Sequence, residues 1–102
     1  MELRVGSRWN SVADTTEIVV IRAPASAVSL ECGGYAMVAA GSKFDKVDAP
    51  LPGSAEGTAV GKRYSDDAHT VELLVTKAGK GSLSIDGVPL VVAEAKKLPS
   101  SD

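Results

Sequence analysis

Cys32-Gly33-Gly34 is the segment of this sequence best suited to covalent chemistry. A thiolate at a strand end, followed by glycines with bare amides, pairs a nucleophile with a backbone cradle for an oxyanion. Such a thiol needs a base or cation to lower its pKa, and the chain has one histidine, His69. A structural expectation competes with this. Cys32 continues the apolar face of Val28 and Leu30, and cysteine is among the most buried residue types. Gly33 and Gly34 then form a bulge or tight turn.

A second cluster is Gly61-Lys62-Arg63-Tyr64, followed by Ser65-Asp66-Asp67. Lys62, Arg63 and the Tyr64 phenol suit a phosphate or carboxylate, with Arg63 forking onto two oxygens. The spaced glycine of a P-loop is missing. The same residues also fit a strand whose outward cations pair with Asp66 and Asp67. Lys77 and Lys80 would extend the anion site if their turn lies beside Arg63. His69 follows Asp66 and Asp67 closely enough for a carboxylate to orient its imidazole, or it is an exposed loop residue. Arg8 and Trp9 are residue types enriched at interface hot spots, although a lone Trp is equally a core anchor. Asp14 with Glu17, and Asp45 with Asp48, are carboxylate pairs that nothing in the sequence sets across a substrate.

Composition narrows the function. The 102 residues are 44% hydrophobic, 24% charged and 4% aromatic, which fits one small globular domain. Eleven basic and thirteen acidic residues give a net charge of −2, spread evenly along the chain. Nucleic-acid binding through Lys62, Arg63, Lys77 and Lys80 is therefore disfavoured, because phosphate recognition normally shows a basic excess. One cysteine and one histidine allow neither an intramolecular disulfide nor a Cys/His zinc site. No cofactor or catalytic signature is present. The N-terminus lacks a signal-peptide core and no apolar run reaches membrane-spanning length, so no membrane association is expected and the compartment is the cytoplasm.

The elements that must position these groups read as strands. Thr15–Arg22 contains Ile18–Ile21, apolar on both faces as in a strand covered on both sides. Ala23–Ala27 turns at Pro24, Val28–Cys32 alternates, and Tyr35–Ala40 is a strand or short helix. Residues 41–58 form a long irregular loop: a mobile connection, a contact for a ligand or partner, or an element hidden by its composition. Val71–Lys77, Ser82–Ile85 and Val88–Ala93 predict a three-stranded antiparallel meander. Its first turn is Ala78–Gly81 and its second is Asp86-Gly87, a type I′ signal. Pro89 sets the last strand at an edge. A helical turn is expected over 93–98, stopped by Pro99, with 99–102 as a frayed tail.

The sum is an all-β domain over 1–98, a small antiparallel barrel or sandwich of six to seven short strands. The function that follows is a non-catalytic binding or accessory module. It would self-associate or dock on a larger enzyme through the β edge at Val88–Ala93. The alternative is an anionic small-molecule site, or a minor enzyme, built on Cys32 with Arg63 and His69.

Overall fold

A computed structural model describes residues 2–47 and 49–93. Among these residues the chain forms ten strands and no helix, arranged in two antiparallel sheets that pack as a sandwich. The strands are β1 (Arg8–Asn10), β2 (Glu17–Arg22), β3 (Leu30–Cys32), β4 (Tyr35–Ala36) and β5 (Val38–Ala39), then β6 (Arg63–Ser65), β7 (Glu72–Lys77), β8 (Leu83–Ile85), β9 (Val88–Pro89) and β10 (Val91–Val92). The larger sheet runs β10-β6-β7-β2-β1-β5, and the smaller runs β4-β3-β8-β9.

Alternation builds the core from both sides. Ile18 and Val20 of β2, with Leu73 and Val75 of β7, turn their side chains inward from the larger sheet. Leu30 and Cys32 of β3, with Leu83 and Ile85 of β8, face them from the smaller one. The outward residues of the Ile18–Ile21 run are not covered as expected. Val19 is half-buried and Ile21 stays 37% exposed, so this strand is buried on one face alone.

Two hairpins have the same construction. Gly33-Gly34 turns β3 into β4 with φ of 68° and 86°, and Asp86-Gly87 turns β8 into β9 with φ of 51° and 83°. Positive φ at both central positions is the type I′ requirement. Each return strand pairs for two residues and then reaches a buried aliphatic, Met37 or Leu90. The Met37 amide donates to Leu30 O (2.9 Å) and the Leu90 amide to Leu83 O (3.0 Å). Beyond them the chain crosses to the larger sheet, as β5 onto β1 and β10 onto β6. Both edges of the smaller sheet thus continue into edges of the larger, the corner arrangement of strands that switch sheets. These two divided strands, with the unexpected β1, raise the count above six or seven.

The expected meander is corrected here. β7 lies between β6 and β2 while β8 lies between β3 and β9, so residues 78–82 cross from one sheet to the other. The Asp86-Gly87 hairpin is present and the Ala78–Gly81 hairpin is not. Gly79 and Gly81 answer a different need. A Cβ at Gly79 would sit 2.4 Å from Thr16 Oγ1, and one at Gly81 would sit 2.8 Å from Asp14 Oδ2. They permit close approach to the β1–β2 connection, which local sequence does not reveal. Pro89 does lie on an edge, opposite Ser84. The expected helical turn over 93–98 and the tail lie outside the described residues, apart from Ala93.

Candidate binding groove

The residues expected to form an anion-handling thiol site are not brought together. Cys32 is fully buried on the inner face of the smaller sheet, whereas Arg63 and His69 are exposed on and beside β6 of the larger. Burial, reinforced by the charge of Asp14, pushes the Cys32 thiol up to about 11. Its Sγ lies 3.9 Å from Asp14 Oδ1. The neighbouring glycines are occupied too. Gly33 N donates to Ser82 O (2.9 Å), and Leu51 N donates to Gly33 O (2.8 Å). Pro50 and Leu51 lie over the turn so closely that Cβ atoms at Gly33 and Gly34 would meet them at 3.0 and 2.6 Å.

Several of the other candidates have structural partners. Arg63 pairs with Glu72 at 3.0 Å rather than with Asp66 or Asp67. Lys62 is exposed, and its carbonyl accepts from Val75 N. The His69 ring approaches Ser65 Oγ at 3.2 Å, and its carbonyl accepts from Arg22 Nη1 at 3.1 Å. Asp66 receives the amides of Thr70 and Val71 and the Thr70 hydroxyl, which outweigh its slight desolvation and lower its pKa. Lys77 lies 3.9 Å from Glu17. Trp9 packs against the core and donates to Ser7 Oγ, while Arg8 is exposed on the same strand.

Asp14 organises the buried junction beneath Cys32. Partial burial acts to raise its pKa, but donors from Thr16, Gly81 and Ser11 outweigh it and hold the carboxylate below its ordinary range. The amides of Thr16 and Gly81 both donate to it. Thr16 Oγ1 and Gly79 N meet Thr58 Oγ1 at 3.2 and 3.0 Å, tying in the end of the long loop. This junction fastens the β1–β2 connection to Gly79 and Gly81 and to Thr58 at the end of the long loop.

A further recess lies elsewhere on the surface, lined by neither Cys32 nor Asp14. A groove of about 410 Å³ is lined by Glu31 and Ser84 of the smaller sheet, by Gly87, Pro89 and Leu90 of the return strand, by Tyr64 of β6, and by loop residues Gly53, Ser54, Glu56 and Gly57. Its volume is that of a small-ligand pocket, roughly 300–1,000 Å³. Glu31 and Ser84 are directly opposed in the β3–β8 register and face outward. Glu31 Oε1 accepts from Ser84 Oγ (3.0 Å) and Gly87 N (3.1 Å), which fixes the carboxylate. The loop is held in place along Ser82: Ser82 N donates to Ser54 O, and Glu56 N donates to Ser82 Oγ. The described residues of 41–58 are thus irregular yet anchored, and Gly53, Ser54, Glu56 and Gly57 line the groove.

Among the described residues two glutamates line this groove, and no lysine, arginine or histidine does. Its field favours cations over the anion expected near Arg63. Of the residues singled out from sequence, Gly34 and Tyr64 reach it. Glu31 and Ser84 carried a readable signal, the outward phase of two alternating strands; Ser54 and Glu56 carried none. Among the described residues no three His, Cys, Asp or Glu side chains group to hold a metal, and no helix is long and apolar enough to cross a membrane. Comparison with family models, curated proteins and solved structures finds no match.

Proposed function

We propose that the protein is a non-catalytic binding module that docks a protein partner, or a second copy of itself, on the strand Val88–Val92. The observation that carries this reading is the exposure of three valines within five residues: Val88 at 60%, Val91 at 56% and Val92 at 42%. A cluster of exposed aliphatics on one strand is the usual mark of an interaction surface. The strand is also an edge of both sheets, through β9 in one and β10 in the other. Each edge is two residues long, and Pro89 offers no donor, so the valine side chains contribute more than an added backbone ladder. The buried, proton-holding Cys32 weighs against the competing enzyme. A lone unbridged cysteine suits a reducing compartment, and we place the module in the cytoplasm as an accessory subunit.

A photo-crosslinking side chain installed at Val91 tests the docking. Val60, 64% exposed and outside the strand, is the control position. The expected result is a covalent adduct, to a partner or to another copy, at position 91 and not at 60. Equal labelling at both positions, or none at 91, overturns the proposal.

A further inference from the structure

The groove beside the docking strand specifies the chemistry of what reaches it. Pro89 and Leu90 belong to both features, lying between Val88 and Val91 in sequence and lining the recess. Glu31 is held in place by the Ser84 hydroxyl and the Gly87 amide, and Glu56 is exposed with no described donor to its carboxylate. Two negative charges with no cation among the described lining residues make a positive group favourable there and a negative one costly. Tyr64 adds a directional contact. Its oxygen accepts from Ala59 N at 3.2 Å, which leaves the phenolic proton to donate, and a peptide carbonyl is a suitable acceptor.

We infer that the groove receives an extended segment of the docked protein carrying a lysine or arginine. The cationic head sits between Glu31 and Glu56, the flanking apolar residues lie on Pro89 and Leu90, and a backbone carbonyl meets the Tyr64 hydroxyl. This assignment rests on the docking reading above and extends it to the partner's charge.

The test titrates the ¹⁵N-labelled protein with a blocked pentapeptide carrying a central lysine between valines. Matched peptides carry norleucine or glutamate at the centre, and lysine amide alone is a further probe. The lysine peptide is expected to shift the amides of Gly53, Ser54, Gly57, Ser82 and Ser84 saturably. E56Q is expected to weaken it about fivefold, the scale of one partly exposed charge pair. Raising salt from about 0.05 to about 0.5 M weakens it comparably, because the Debye length shrinks several-fold. Norleucine and glutamate peptides are expected to bind several-fold more weakly or not at all. Equal binding of the norleucine peptide overturns the charge assignment, and equal binding of lysine amide replaces the peptide with a small amine. A position-91 crosslink with a silent groove defeats this inference alone. Peptide shifts without any crosslink defeat the docking reading alone.

Discussion

Gly81→Ala is the sharpest perturbation the fold offers. The added methyl would lie 2.8 Å from Asp14 Oδ2, 2.9 Å from Gly33 N and 3.0 Å from Cys32 Sγ. None of these neighbours is the loose end of a flexible side chain. Gly33 N is bonded to Ser82 O, Cys32 is fully buried, and Asp14 is held by Thr16. The 79–82 backbone must therefore move, and the bond from Gly81 N to the Asp14 carboxylate goes with it. Overpacking of this kind costs about 1–3 kcal/mol, and a hydrogen bond to a charged group about 1.5–3 kcal/mol. The smaller entropy of the unfolded alanine chain returns about 0.4–1 kcal/mol. The net is a loss of about 3 kcal/mol, which lowers the melting temperature by roughly 12–24 °C in a domain of this size. Gly6→Ala separates space from backbone strain. Gly6 has φ of 88° with nothing near its missing Cβ, so it incurs the left-handed penalty alone, about 1–2 kcal/mol. Thermal unfolding followed by circular dichroism reads both variants. A Gly81→Ala protein that melts no lower than Gly6→Ala would refute the close-approach account.

Cys32 should make the fold sensitive to alkali. Its pKa rises from an ordinary 9.0 to about 11 on folding, so its contribution is complete below pH 9 and is lost as pH climbs from 9 to 11. Two units correspond to about 2–3 kcal/mol; Cys32→Ala should flatten that limb in urea midpoints, and an unchanged limb would refute the linkage. Asp14 acts with the opposite sign: its lowered pKa stabilises the fold above the ordinary value of 3.8 and is lost as pH falls below it. Asp14→Asn should therefore flatten the acid limb of the same titration, and Asp66→Asn should do so less because Asp66 is more exposed to solvent. Leu90→Ala is expected to cost about 2–3 kcal/mol and to speed hydrogen exchange at Ala93, whose amide donates to Arg63 O across the β10–β6 edge.

What was legible in the sequence is what neighbours along the chain decide. Alternation in Val28–Cys32 and Ser82–Ile85 identifies the inner residues of the smaller sheet, because the side-chain period of a strand is a local property. Asp86-Gly87 declares its turn because two positive φ values need those residue types. Gly79 and Gly81 mislead for the complementary reason. Glycine tolerates both a positive φ and a close neighbour, and sequence cannot tell which demand selected it. Met37 and Leu90 look like ordinary strand residues, since the change of sheet depends on a partner strand distant in sequence. The groove was illegible on the same ground: Glu31 and Ser84 are 53 residues apart and meet only through the β3–β8 register.

The buried junction and the groove share one short segment. Gly79 and Gly81 press on Thr16 and Asp14 from one side. Ser82 then accepts Gly33 N and holds Ser54 and Glu56, which line the groove. A shift of 79–82 large enough to relieve a methyl at position 81 must therefore displace Ser82 and, with it, the 53–57 loop. In Gly81→Ala, studied at a temperature where it remains folded, binding of the lysine peptide should fall although no groove residue has changed. Gly6→Ala should lose stability and keep its affinity. If both variants bound the peptide equally well, the loop would be held independently of the Asp14 junction, and the coupling of fold to site through Ser82 would be wrong.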